Sequence, residues 1–357
     1  MAMSLFHRHN TLPPKVSVCI PVYNTEPLLE RCLKSFVAQD LEEKEAVIIV
    51  DASPGCDDKG RSAAEICRAV LKNPETGKPL AYTILEHNKN LGILETRRDA
   101  VMRARGQYIF VMDSDDFLAG TDCLSSLYAL ATEHDADIVN STGMVFSDET
   151  DDATAQRRNY LVQRMQERLN ACQTGLLEGS DIIEGYLVTQ NHCGYLWGKL
   201  FRRELFVQAL EQIPFTLCTM AEDYIFYFFI TLFAKRYWGT DRRWYRYGID
   251  TGISSHKQID SLDRWVRVCS AASVFAVISQ YLDDPDNVAG TGGIHAPISP
   301  QVINSIKRTC NFFVRNNLEQ LEEQVVPELH DEAYSILEDF WGQDYVQTIQ
   351  SLISTTK

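Results

Sequence analysis

The chain has 357 residues, of which 45% are hydrophobic and 23% are charged, a balance typical of globular proteins with a sizeable core. A chain of this length forms one large domain or two modest ones. The formal net charge of −15 argues against broad contact with nucleic acid or anionic lipid, although a local basic pocket for phosphate is still compatible with it.

Cysteine usage and the N-terminus bear on the cellular compartment. The ten cysteines include no C-x-x-C pair and no cluster with histidine at zinc spacing, and several lie in apolar runs. This pattern favours free thiols in a reducing compartment. Residues 1–15 lack the apolar core of a signal peptide, and no stretch reaches the roughly 18 uncharged apolar residues of a membrane span. We therefore expect a cytoplasmic protein, with contact at the inner face of the membrane left open.

The first third of the chain alternates strand and helix patterns. Strands are predicted at 16–23, 46–51, 80–86, 107–113 and from 137 onward, and helices at 26–39, 62–71, 94–105 and 121–133. This alternation predicts a mostly parallel sheet covered by helices on both faces. Ligands of such sheets bind beyond the carboxyl ends of the strands. The candidate site residues are therefore those that follow Tyr23, Asp51, Glu86 and Met112.

The remainder of the chain is less regular. Residues 147–158 are acidic and polar, which predicts an exposed linker or mobile loop. Residues 186–247 are rich in aromatic side chains, and the region after about residue 258 predicts helices interrupted by a loop at 283–293. These last helices carry no motif. We expect them to pack on the preceding domain or to pair two chains, with contact to a membrane surface as a third alternative.

The strongest local signal is a group of three carboxylates, Asp113, Asp115 and Asp116, at the end of an apolar strand. Like charges this close repel one another, which drives one of the three towards protonation. A divalent cation resolves the conflict, and hard oxygen ligands suit Mg²⁺ or Mn²⁺. A solvated acidic turn that caps a helix is the alternative, and the cluster by itself does not decide between the two.

A D-x-D sequence after a strand also occurs in phosphatases of the haloacid dehalogenase type, where the first Asp is the nucleophile. In those enzymes the motif follows the first strand, and Thr or Val stands at its fifth position. Here the motif follows roughly the fourth predicted strand, and Phe117 occupies the fifth position. The sequence therefore disfavours this alternative.

The order and spacing of several motifs resemble those of family 2 glycosyltransferases. The motifs are VSVCIPVYN at 16–24, IIVDASPGCDD at 48–58, the segment 88–116, WGKLFRRELF at 197–206 and AEDYIF at 221–226. The resemblance covers residues 14–256 and implies an α/β fold of the GT-A type, followed by a helical C-terminal region. It divides the chain into an extension (1–13), a nucleotide-sugar half (14–146), an acceptor half (147–256) and a helical region (257–357).

The resemblance implies a donor side and a metal site. Asp51 would hydrogen-bond the base, typically uracil, and Arg97 would face the donor phosphates or sugar. Asp115 would bind Mn²⁺ or Mg²⁺ with Asp116 beside it. His256 is a candidate for a further metal or diphosphate contact, and a surface histidine is the alternative. The other donor-side positions are Pro21, Tyr23 and Asn24 in the nucleotide pocket, Asn90 and Gly92 in the adjoining loop, and Asp113 and Ser114 near the sugar or ribose hydroxyls.

The resemblance also implies an acceptor side. The acidic pair Glu222–Asp223 opens an aromatic helix, and the family assigns the general base to this pair, here to Asp223. A plain helix cap is the alternative. Trp197 and Lys199 stand where the family builds the acceptor side, and Trp197 either stacks on a sugar ring or belongs to the core.

Two functional hypotheses follow. The first is an enzyme that transfers a sugar, with inversion, from a nucleotide-diphosphate donor, UDP-linked by resemblance, to a glycan, lipid-linked or protein hydroxyl. The second is a catalytically silent fold that binds nucleotide sugars or acts as a scaffold. Ala52 and Arg98 keep the second open, because the family often has an acid and an asparagine at these positions.

Overall fold

The computed structural model describes residues 5–8, 13–73, 75–148, 155–216, 218–249, 258–291, 293 and 295–356. Within these residues, ten strands form one sheet. The strands are β1 (Leu5–Arg8), β2 (Val16–Val22), β3 (Lys44–Val50), β4 (Ala81–Glu86), β5 (Tyr108–Val111), β6 (Phe117–Leu118), β7 (Ile138–Phe146), β8 (Gly175–Glu178), β9 (Lys199–Arg202) and β10 (Arg236–Gly248).

Helices flank this sheet and make up most of the C-terminal region. They are α1 (Glu26–Val37), α2 (Ala63–Val70), α3 (Ile93–Arg103), α4 (Cys123–Glu133), α5 (Ala155–Leu169), α6 (Ser180–Leu187), α7 (Arg203–Glu211), α8 (Glu222–Phe233), α9 (Leu262–Cys269), α10 (Ala271–Leu282), α11 (Pro285–Ala289), α12 (Pro300–Gln324), α13 (His330–Trp341) and α14 (Gln343–Thr356). A short 3₁₀-helix, Pro327–Leu329, precedes α13.

The strand order from edge to edge is β1-β4-β3-β2-β5-β9-β7-β10-β6, and β8 pairs with β10. Strands β4, β3, β2 and β5 are parallel to one another, as are β7 and β10. Strand β9 is antiparallel to both β5 and β7 and joins the two parallel groups. The predicted fold class, a mostly parallel sheet flanked by helices and followed by a helical region, is confirmed.

The central strands are formed by continuous apolar runs because helices cover both faces of the sheet. Every residue of β2 and β3 is buried. Helices α1 and α2 pack against each other, whereas α3 packs on β2 and β3. Parallel pairing places the carboxyl ends of β2, β3, β4 and β5 along one edge, and the polar residues that follow these strands meet there.

The helical region is joined to the rest of the protein by a shared core. Phe275 of α10 and Val302 of α12 belong to the same buried cluster as Phe229 of α8. Helices α9, α12, α13 and α14 enclose a second cluster of their own, around Trp265 and Leu337. The domain boundaries expected from the sequence stay predictions.

Two elements differ from the sequence prediction. Residues 5–8, inside the expected extension, form β1, which pairs antiparallel with β4 at the edge of the sheet. Helix α5 begins within the stretch predicted as a loop. Its sequence contains neither Gly nor Pro and is rich in Arg and Gln, so its helix propensity outweighs its polarity.

One helical stretch among the described residues, Leu262–Leu282, has the length and composition of a membrane span, with a mean hydropathy of 1.3. Half of it, 50%, is buried inside the protein. The core helix of a globular protein passes the same test, so this stretch is weak evidence for a span.

Candidate active site

The predicted donor-side residue Asp51 lies directly after β3 and is buried, with 3% of its surface exposed. Its Oδ1 accepts hydrogen bonds from the Leu91 amide at 2.8 Å and from the His87 ring at 2.7 Å. Its Oδ2 accepts one from the Gly92 amide at 2.9 Å. Asn90 donates to the Asp51 carbonyl at 3.4 Å, so the loop that begins α3 is tied to the end of β3.

Gly92 adopts a φ of +84°, which favours glycine, at the N-cap of α3. A Cβ at this position would lie 2.9 Å from the carbonyl oxygen of Cys218. The glycine therefore allows the loop before α3 to approach the segment that precedes α8.

His87 is a site residue that the sequence reasoning did not name. It follows β4, and its buried ring is held between Asp51 and Asp99 at 2.7 and 2.9 Å. Burial lowers the pKa of His87, but the hydrogen bonds to the two carboxylates outweigh it and raise that pKa to about 9. The signal was available, because His87 stands immediately after Glu86, at a strand end marked for a ligand site.

The predicted nucleotide-pocket residues Pro21, Tyr23 and Asn24 lie at the end of β2. Pro21 is buried within the strand, whereas 36% of Tyr23 is exposed. Asn24 has a φ of +56°, and its amide donates to Ser53 Oγ at 2.8 Å. The ends of β2 and β3 are therefore bound to each other beside Asp51.

The acidic motif follows β5. The Asp113 amide donates to the Tyr245 hydroxyl at 3.0 Å, and the Ser114 hydroxyl lies 2.7 Å from that of Thr25. Asp116 Oδ1 accepts the Gly248 amide at 2.8 Å, and its buried Oδ2 has no hydrogen-bond partner within the described residues. Burial, followed by the charges of Asp115 and Asp113, raises the pKa of Asp116 well above its usual range.

Arg97 brings the donor side and the acidic pair together. This α3 residue is 4% exposed. Its Nη2 donates to Asp113 Oδ1 and its Nη1 to Glu222 Oε1, both at 2.8 Å, and Nη1 also donates to Asp223 Oδ1. One guanidinium thus holds three carboxylates from the end of β5 and the start of α8.

Burial raises the pKa of both acidic residues at the start of α8. That of Glu222 is raised to about 7, and that of Asp223 is raised above its usual range. The Arg97 charge opposes burial in both cases, and Lys199 also opposes it at Asp223. A carboxylate with a raised pKa is suited to accept a proton near neutral pH.

The predicted acceptor-side residues Trp197 and Lys199 are both buried. The Trp197 indole, 3% exposed, stacks with Tyr195, Tyr245 and Tyr247 at centroid distances of 5.2, 4.7 and 5.2 Å. The Trp197 ring thus packs against aromatic side chains of the protein, as expected if it belongs to the core. Lys199 donates to the Tyr195 carbonyl. Their role towards an acceptor stays a prediction.

His256 lies outside the described residues. Within the described residues, no three His, Cys, Asp or Glu side chains are grouped as a metal cluster. Two of the three aspartates of the motif contact different partners, since Asp113 is turned to Arg97 and Asp116 to Gly248.

The fold is similar to that of a solved glycosyltransferase. The S. aureus TarS fragment 1–349 in complex with UDP-GlcNAc matches with a TM-score of 0.53 and 18% identity, over 96% of this chain and 92% of that one. The same fragment with UDP gives a TM-score of 0.52. The sheet order, the flanking helices and this similarity define a GT-A glycosyltransferase fold.

The sequence profile of glycosyl transferase family 2 matches residues 17–207, more than half of the chain. The chain therefore belongs to this family of enzymes, and the resemblance seen in its motifs is confirmed. It is 27% identical to the uncharacterized glycosyltransferase EpsJ of Bacillus subtilis over 58% of the chain and 57% of EpsJ. It is 25% identical to the glycosyltransferase GlyA of Streptococcus pneumoniae over 58% of the chain but 27% of GlyA. The chain thus matches about half or less of the length of these relatives.

Proposed function

We propose that the protein transfers a sugar, with inversion, from a UDP-linked donor to a hydroxyl group of a glycan, lipid-linked or protein acceptor. The observation that carries the proposal is the buried Arg97, which joins Asp113 of the acidic motif to Glu222 and Asp223. A carboxylate at the donor end and a candidate base are thus held beside each other by one guanidinium, a proximity that a single displacement requires.

Asp223 is the proposed general base. In an inverting displacement the acceptor oxygen attacks the anomeric carbon while the base removes its proton, and the nucleotide diphosphate leaves from the opposite face. The raised pKa values of Glu222 and Asp223 fit this role. On the donor side, the buried Nε of Arg97 has no hydrogen-bond partner among the described residues, which leaves one donor for a phosphate or sugar oxygen.

The residues present fit a divalent cation, Mn²⁺ or Mg²⁺, held by Asp115 and Asp116. Such ions are often bound by one or two carboxylates together with substrate phosphates, so a set of three protein ligands is not required. Asp116 has the buried Oδ2 without a partner, and Asp115 is partly exposed. When bound, the ion neutralises charge that develops on the departing diphosphate.

Comparisons support a sugar donor linked to UDP. TarS, which shares the fold, was solved with UDP and with UDP-GlcNAc. A Bacillus spizizenii relative, 34% identical over 35% of the chain and 18% of its own length, is named a poly(ribitol-phosphate) beta-glucosyltransferase. We assign the donor to residues 14–146 and the acceptor to residues 147–256.

The test is a thermal-shift and calorimetric screen of UDP, GDP and CDP, each with and without Mn²⁺ or Mg²⁺. Stabilisation by UDP that depends on the metal is expected, and Asp115→Ala should abolish it. Asp135→Ala is the matched control, because this exposed carboxylate pairs with Arg202 away from the site. If no nucleotide bound with either metal, the proposal would be wrong, and phosphatase activity would be measured next. Binding without turnover over a broad acceptor panel would favour a silent nucleotide-sugar-binding protein.

A further inference from the structure

The connecting segment, residues 212–221, joins α7 to α8. It ends directly before Glu222 and Asp223, which are the catalytic pair of the proposed function. Its last residue, Ala221, has a φ of +66°, a left-handed conformation that is unfavourable for a residue with a Cβ. Alanine has no side-chain oxygen to cap a helix, so α8 begins without a side-chain cap. The position of Glu222 and Asp223 therefore depends on tertiary contacts, which include the bonds of Arg97 to the pair and the contacts that hold the connecting segment.

Arg98 makes two contacts with the connecting segment and a third with the end of α7. Its guanidinium donates to the carbonyl oxygens of Leu210 at 3.0 Å, Ile213 at 2.8 Å and Pro214 at 3.1 Å. Nε donates to Glu95 Oε2 at 2.9 Å, which orients the side chain. Arg98 therefore spans the end of α7 and the start of the connecting segment.

Glu95 supplies the next contact along the segment. Its second oxygen, Oε1, accepts the Thr216 amide at 3.1 Å. Both Glu95 and Arg98 lie on α3, which also carries Arg97. One helix thus holds the connecting segment through Glu95 and Arg98 and holds the catalytic pair through Arg97.

We propose that Glu95 and Arg98, here called the anchor pair, are positioning residues. By fixing the connecting segment they set the position of Asp223 in the active site, an inference that rests on the proposed function. An ammonium group cannot reach three carbonyls with the geometry of a guanidinium fork, and an asparagine side chain is too short. Arg98, which departs from the asparagine common in the family, is then a functional feature of this chain.

A plain helix cap for α7 is the competing explanation, and Arg203 provides the matched control. Its Nε donates to the Ala104 carbonyl at 2.7 Å, so it ties α7 to the other end of α3 without contacting the connecting segment. Arg203→Gln removes a guanidinium–carbonyl bond between the same two helices. It tests whether loss of helix packing alone explains any effect.

The experiment compares Arg98→Asn, Arg98→Lys, Glu95→Gln and Arg203→Gln in the full chain. UDP-glucose and UDP-N-acetylglucosamine with water as acceptor are the probes for kcat and KM, and calorimetry gives the Kd for UDP. Amide hydrogen exchange is followed over residues 212–224. We expect both Arg98 variants to lower kcat by at least about tenfold, with the Kd for UDP within about twofold of the wild type. Amide exchange should accelerate over residues 212–224 in these variants but not in Arg203→Gln.

Unchanged kcat in folded Arg98 variants would overturn the inference, as would an equal loss of kcat in Arg203→Gln. A parallel loss of UDP affinity would also overturn it, since the anchor pair would then act on the donor site. If the wild-type chain neither bound UDP nor released it from either sugar nucleotide, the proposed function would fail instead. The exchange measurement would still decide the anchor pair, because unchanged exchange in Arg98→Asn would refute it.

Discussion

Arg97 and His87 show how this protein places charge in its interior. Each cation is buried and contacts more than one carboxylate, Arg97 with three and His87 with two. Breaking such a pair by removing one partner leaves a buried charge uncompensated, which is costly. These residues therefore control the protonation state of their neighbours as well as their positions.

Arg97→Gln is predicted to shift the pH dependence of sugar transfer upwards. In the wild type, burial raises the pKa of Glu222 to about 7 and that of Asp223 above its usual range, and the Arg97 charge opposes both shifts. A base is active when deprotonated, so the wild-type rate should rise as the pH passes the raised pKa of Asp223. Without the guanidinium the acidic limb of the kcat/KM profile should move up by at least about one pH unit.

The carboxylates and cations that face this pair come from several elements. They are Arg97 from α3, Asp113 after β5 and Lys199 from β9. Arg97→Lys should give a smaller shift than Arg97→Gln because it retains the charge but not the fork. Arg202→Gln, which removes an arginine bound to Asp135 and Asp137, is the control. An acidic limb that stayed in place in folded Arg97→Gln would contradict the prediction.

His87→Gln is predicted to destabilise the protein more at pH 6 than at pH 9.5. The pKa of His87 is raised from 6.5 to about 9 by its bonds to Asp51 and Asp99, which together outweigh burial. Stability from the charged ring is therefore fully present below about 6.5 and is lost as the pH rises through about 9. At pH 6 we expect the free energy of unfolding of His87→Gln to be lower than that of the wild type by on the order of 2 kcal/mol, measured by chemical denaturation.

His330→Gln is the matched control for this measurement. Its Nε2 lies 2.9 Å from the Val325 carbonyl rather than beside a carboxylate. His330→Gln measures at both pH values what the loss of a histidine bond to a backbone carbonyl costs. Equal destabilisation by His87→Gln at both pH values would show that the ring acts by packing alone.

At the scale of elements, the sequence predicted those strands and helices that have a clear hydrophobic periodicity. Strands β2 to β5 and helices α1 to α4 lie where the apolar runs predict them. The buried residues of each element recur with the period of a strand or of a helix, and this period is visible in the sequence. Strand β1 was missed, since four residues at an edge give no periodic signal. Helix α5 was missed because its polarity indicated a loop.

The site residues that could be predicted are those whose position in the chain, directly after a strand, implies that they lie in the site. Asp51 and the acidic motif follow strands, so a parallel sheet brings them to one edge. The bonds of Arg97 to Glu222 and Asp223 span 125 and 126 residues, and no local pattern reveals such a pairing. The stacking of Trp197 depends on β10, which supplies Tyr245 and Tyr247, and this too is a tertiary contact.

For the whole molecule, the shared core implies that the catalytic fold and the helical region unfold together. Phe275 of α10 is buried against Tyr224 of α8, with ring centroids 5.4 Å apart, and against Phe313 of α12 at 5.3 Å. The aromatic contacts therefore run from the helix that carries Asp223 into the C-terminal region. We therefore expect the two parts to unfold in one cooperative transition.

Phe275→Ala should lower the free energy of unfolding by about 3–5 kcal/mol, because it opens a cavity in a buried cluster. Phe312→Ala is the control in the same region, since its ring is 62% exposed, and its effect should stay within about 0.5 kcal/mol. Scanning calorimetry of the wild type should show one transition that shifts down in Phe275→Ala. Two separate transitions in the wild type would mean that α8 and the helical region are not coupled through Phe275, and that the helical region is an independent domain.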